Sequence, residues 1–148
     1  MGKYFEDIEI GSSVSSSRIT VTETHIVLFS GLTGDFNALH TDATAVKEMK
    51  FGRIIAHGML CASISCGLRS GIDDWQIVAM METRRRFRKP VFAGDTVSFT
   101  GEVIARNERS SGKAGEIILK ITMTNQDKAV VLEGEDTILV SCRKEGSQ

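Results

Sequence analysis

The chain has 148 residues, 18 Lys and Arg against 19 Asp and Glu, and a hydrophobic share of 41%. That length fits one ordinary domain, and charges this closely balanced exclude a general nucleic-acid or polyanion binder, which would carry a broad basic excess. No run approaches the ~18 consecutive apolar residues of a membrane span, and the opening "MGKYFEDIEIG" has acidic residues where a signal peptide needs a basic flank and an apolar stretch.

Residues 13–20, "SVSSSRIT", are β-tolerant and are expected to form an edge strand. The segment "TETHIVLFSGL" reads as a helix capped by Thr22, with Ile26, Phe29 and Leu32 recurring at helical spacing. Gly31 and Gly34 loosen its end and lead into "GLTGDFNALHTD", a turn-rich run that holds Asp35, Asn37 and His40. Asp42 is placed to cap a short helix, "ATAVKEM". The next helix, over 58–70, is the longest convincing one. Its apolar Met59, Leu60, Ile64 and Leu68 alternate with small Ala62, Ser63, Ser65, Cys66 and Gly67, and so few charges predict a buried helix. The three cysteines, Cys61, Cys66 and Cys142, are odd in number and wrongly spaced for a zinc site, so they read as reduced thiols of a cytoplasmic protein.

From residue 76 the pattern turns to strands: "QIVAMMETRRRFR", "DTVSFTGEVIARNE", "GEIILKITMTNQ" and "KAVVLEGEDTILVSCRK". Short polar turns between them predict an antiparallel meander. Helices segregated from an antiparallel sheet give an α+β fold over residues 1–148, a single domain in which the buried helix fills a curled sheet.

The run "FSGLTGDFNALH", followed by "HGML" at 57–60, resembles the MaoC-like, R-specific enoyl-CoA hydratase family. "YFEDIEIGSSV" and "RFRKPVFAGDTVSFTGEV" extend the resemblance over most of the chain; Ala38 stands where that family usually has proline. The resemblance implies a hot-dog fold, a curved antiparallel sheet around one long helix, and a homodimer or dimer of dimers with joined sheets. It implies an acyl-CoA substrate, with an acyl carrier protein as the alternative carrier, and no cofactor or metal. It places the catalytic pair at Asp35 and His40, the thioester contact at the backbone of Gly58, and the loop-shaping amide at Asn37.

The chemistry agrees with those residue types. Hydrating a 2-enoyl thioester requires that water lose a proton as it attacks C3, that C2 gain one, and that charge on the thioester oxygen be stabilised. A carboxylate and an imidazole sharing one water meet the first two needs. We assign Asp35 as principal base and His40 as its partner, the pair being the claim rather than the split between them. Unpartnered N–H groups at the start of the buried helix meet the third.

Other residues keep two readings. His57 reads as a structural helix-start residue that hydrogen-bonds the loop. Ser63 and Cys66 line an acyl or pantetheine channel or serve plain packing. In "RRRFRK", Arg84, Arg86 and Arg88 share one strand face, opposite Arg85, Phe87 and Lys89. That first face suits the phosphates of CoA or is a solvated edge. A metal held by Asp35, His40 and His57 lacks a second acidic ligand at suitable spacing. Two other functions compete: a hot-dog acyl-CoA thioesterase, and a non-catalytic acyl-thioester-binding subunit.

Overall fold

The computed structural model describes residues 2–68 and 71–143. After a 3-10 turn at Phe5–Asp7 come β1 (Ser13–Ser15), β2 (Ile19–Thr20), α1 (Glu23–Thr33), α2 (Ala38–Thr41), a 3-10 turn at Ala45–Glu48 and α3 (Gly58–Gly67). Next come four long strands: β3 (Ile77–Phe87), β4 (Thr96–Glu108), β5 (Ala114–Thr124) and β6 (Val130–Ser141).

Period-2 alternation builds the sheet. In β5, Ile117, Leu119, Ile121 and Met123 are all fully buried while the residues between them reach solvent. Val97, Phe99 and Val103 of β4 and Leu132, Ile138 and Val140 of β6 complete the inner face. The buried α3 residues Leu60, Cys61 and Ala62 join the same core cluster. The outer face carries a cross-strand row of Glu102, Lys120, Glu135 and Arg84, each opposite a charge of the other sign. Register shifts in β3 and β4 bend the strands and help the sheet curl.

The α+β architecture expected from the sequence is present: one antiparallel sheet with a buried helix. Several local expectations need correction, among them the short helix expected over 43–49, which is the 3-10 turn Ala45–Glu48. Strand order is β1-β4-β5-β6-β3, so only β4, β5 and β6 form a meander, and β3 pairs with β6 at the far edge. The connector holding Pro90 does not turn back on β3. It runs past the segment before α3, where Ala56 donates to the Val91 carbonyl at 2.7 Å and Ile55 bridges Phe92. The 13–20 strand is split into β1 and β2, both on β4: at Ser16 the N–H still donates to the Phe99 carbonyl at 2.9 Å, but the Phe99 N–H is taken by the Ser16 Oγ, also at 2.9 Å. In α1, Thr22 caps as expected, but Leu32 is 83% exposed and Ser30 is buried in its place beside Ile26. Helix α3 ends at Gly67 with Leu68 as its cap; residues 69 and 70 of the expected helix lie outside the described residues.

Candidate active site

Helix α1 stops at Gly34, whose left-handed φ of 78° costs a glycine little and whose N–H closes on the Ser30 carbonyl at 2.8 Å. The chain then reverses through an Asx turn in which Asp35 Oδ1 accepts from the Asn37 N–H at 3.2 Å. Asn37 in turn caps α2, its Oδ1 accepting from the Leu39 N–H at 3.0 Å. His40 therefore rides on a short helical turn rather than on a loop. Asp42 caps the next turn of the chain: its Oδ1 accepts from the N–H groups of Thr44 and Ala45 at 2.9 and 2.8 Å.

Ala38 is the first residue of α2, where no intrahelical bond uses its N–H. Asn37 before it, with φ −54° and ψ 140°, lies outside the α region that a following proline disfavours. Ala38→Pro is expected to stabilise the chain by about 0.4–1 kcal/mol, read from the urea unfolding midpoint.

Asp35, His40 and His57 converge, with a ligating atom of each within 4.8 Å of the others. His40 Nδ1 lies 2.7 Å from the Ile55 carbonyl, and a carbonyl only accepts, so Nδ1 carries a proton and the tautomer compatible with this bond has a bare Nε2. His57 is arranged the opposite way: its Nε2–H donates to the Asp35 carbonyl at 3.0 Å. The Asp35 side chain is 51% exposed, and its Oδ2 lies 3.9 Å from that nitrogen.

The three side chains open on a cavity of about 430 Å³ walled also by Phe29, Gly58 and Phe87. Gly58 begins α3, and no side chain caps that helix, so the N–H groups of its first turn remain available at the cavity. A Cβ on Gly58 would sit 3.1 Å from the Phe87 ring, so the ring occupies the space a side chain would need. A second cavity, of about 420 Å³, shares Gly58 and Phe87 with the first and has Lys50, Arg88 and Lys89 in its wall. Cys61 also lines it, and burial pushes that thiol up to about 12, which leaves it a poor nucleophile.

Of the other residues singled out from sequence, Arg88 lines the second cavity, while Ser63, Cys66, Arg84 and Arg86 line neither. Ser63 is exposed on α3 and donates to the Met59 carbonyl at 2.8 Å; Cys66 lies 3.9 Å from Arg85 Nη2. Arg84 pairs with Glu82 at 2.8 Å, and Arg88 pairs with Glu133. Arg84 and Arg86 line an outer depression with Lys120 and Glu135, away from Asp35. Sequence reasoning gave no role to Phe87; its reading of His57 as a helix-start residue bonded to the loop holds, and the stack of His57 on His40 is what it did not foresee. The signal for His57 was its place directly before Gly58.

The sequence profile described as MaoC like domain matches residues 7–125. The chain belongs to this MaoC-like family. An (R)-specific enoyl-CoA hydratase of Rhodospirillum rubrum is 35% identical over 144 residues, 95% of this chain and 93% of that protein. A solved structure described as a monoamine oxidase regulatory protein from Archaeoglobus fulgius is 35% identical, with a TM-score of 0.91 and 97% of each chain covered. A Mycobacterium tuberculosis protein with a double hot-dog fold superposes with a TM-score of 0.82 at 20% identity, over 99% of this chain and 46% of that one. That last likeness speaks to the fold alone, which is the hot-dog. As a MaoC-like protein the chain is an enzyme of the hydratase and dehydratase type, a hydro-lyase. Among the described residues no helix is long and apolar enough to cross a membrane.

Proposed function

We propose that this MaoC-like enzyme adds water reversibly to trans-2-enoyl-CoA, giving (R)-3-hydroxyacyl-CoA, with Asp35 and His40 as the catalytic pair. The observation that carries the reading is the meeting of a carboxylate, a bare imidazole nitrogen and an uncapped helix start in one cavity. In the hydration direction a water held between Asp35 and His40 Nε2 loses a proton to the pair as its oxygen bonds to C3. The electron pair of the C2–C3 double bond moves toward the thioester, and the negative oxygen that develops is met by N–H groups at Gly58. The pair then returns a proton to C2. Both bonds form on one face of the substrate because both groups stand on one wall. Water adds across C2–C3 with no net oxidation or reduction, so the step needs no redox cofactor.

The second cavity supports a long, bent substrate. A thioester docked at Gly58 has neighbours on both sides, and Lys50, Arg88 and Lys89 suit the phosphates of CoA or of a carrier-protein arm. The test is crotonyl-CoA. Loss of enone absorbance without release of thiol, and an R product, are expected; release of free CoA would instead identify a thioesterase, and no change at all a binding subunit.

The enzyme is also proposed to dimerise through β3. This edge strand leaves Ile77, Val78, Met80 and Met81 between 42% and 56% exposed, an apolar edge that a second copy would cover. Sedimentation equilibrium is expected to give twice the chain mass, and Val78→Lys with Met80→Lys to shift it toward the monomer.

A further inference from the structure

His57 is 3% exposed and stands at the joint between three parts of the site. It precedes Gly58 as the N-cap of α3, so its backbone sets where the helix start begins. Its Nε2–H reaches the Asp35 carbonyl at 3.0 Å, with Ser30 Oγ as a second acceptor at 3.3 Å. Its ring lies flat on the His40 ring, with centroids 3.8 Å apart and planes 25° from parallel, while Phe29 leans on it at 5.1 Å.

Asp35 and His40 come from different elements, the turn after α1 and the helix α2, and no hydrogen bond joins them among the described residues. What they have in common is His57. A hydrogen bond from its edge fixes the backbone that carries the carboxylate, and its face fixes the tilt of the imidazole that shares the water. The bond to Ile55 holds His40 about one axis; the stack holds it about another. His57 Nδ1 is buried with no hydrogen-bond partner, so the ring is seated by the contacts of Nε2 and by its face.

We infer that His57 is a positioning residue that registers Asp35, His40 and the Gly58 N–H against one another. This rests on the Asp35/His40 reading above. A misplacement of about 1 Å in such a constellation can cost about 10²-fold in rate, which is the size of effect a registering residue controls.

Two substitutions separate the functions of the ring. His57→Gln keeps an N–H donor at similar reach and loses the ring face; His57→Phe keeps the face and loses the donor. Each is expected to lower kcat about 10–100-fold on crotonyl-CoA while KM changes by less than about threefold. Asp35→Asn is assayed beside them. In the unaltered protein, 15N imidazole spectra are expected to show the proton of His57 on Nε2 and that of His40 on Nδ1; this measurement decides if neither variant folds. The inference is overturned if both His57 variants turn over within about twofold of the parent, if their losses follow KM and thermal stability instead of kcat, or if His57 carries its proton on Nδ1. Asp35→Asn with full activity would overturn the catalytic reading itself; an inactive Asp35→Asn beside unimpaired His57 variants would overturn this inference alone.

Discussion

Asp35→Asn and His40→Gln are each expected to lower turnover of crotonyl-CoA by about 10²–10⁴, the usual worth of a positioned acid or base, with the fold intact. The structure makes the second half of that expectation as definite as the first. Half the Asp35 side chain is in solvent, so removing its charge leaves no buried partner stranded. Asparagine also retains an oxygen to accept the Asn37 N–H and hold the turn. It cannot take a proton from water. His40→Gln removes the bare Nε2 and the face stacked on His57, and forfeits the 2.7 Å bond to the Ile55 carbonyl, worth about 1 kcal/mol. Because the two groups act on one water, the double variant is expected to be about as slow as the worse single one, as for residues that work as a unit. Steady-state rates with thermal unfolding curves check both halves. Stable variants that hydrate at the parent rate would remove Asp35 and His40 from the mechanism.

Much of the scaffold was legible because its signals are local. The alternation in β5, and in β4 as far as Val103, is regular enough that the inner face can be read from the strand's own residues; Thr22 caps α1 where its position suggests, and Asp42 accepts the N–H groups of Thr44 and Ala45 at the turn that follows. What was hidden depends on partners distant in sequence. A strand's periodicity does not say which neighbour it pairs with, so β3 beside β6 could not be read from "QIVAMMETRRRFR". The turn α2 is too short for periodicity and is made by caps from Asn37 and, before it, Asp35. For the site, sequence spacing put Asp35 and His40 near each other. The second imidazole arrives from residue 57, and nothing local to it records a stack on residue 40. Leu32 and Val27, exposed on α1, show the converse: apolar residues at plausible spacing that the single chain leaves uncovered.

The least legible feature carries the largest stability prediction. Arg85 and Asp136 sit on β3 and β6 with side chains only 6% and 0% exposed, joined by two bonds, Nη1 to Oδ1 at 2.6 Å and Nη2 to Oδ2 at 3.0 Å. Thr83 Oγ1 adds a third bond to Oδ1 at 2.7 Å, and Gly134, directly across from Arg85, leaves no side chain in the way. In sequence, Arg85 is one residue of the run "RRRFRK" and Asp136 follows "LEGE", and nothing local marks either for burial. Asp136→Ala is expected to cost about 3–5 kcal/mol, since it strands a buried guanidinium, and should appear as a large fall in the urea midpoint. Replacing both, with Arg85→Met and Asp136→Leu, is expected to be near neutral or stabilising, because the desolvation of two charges is removed together with their attraction. The contrast decides what the pair does. If the double variant is as unstable as Asp136→Ala, the pair contributes binding energy between strands. If it is stable but slower, the pair serves register: β3 is hydrogen-bonded to the sheet on one side only, and two residues beyond Arg85 the same strand sets Phe87 against Gly58. We expect the second outcome, with turnover falling while the midpoint holds.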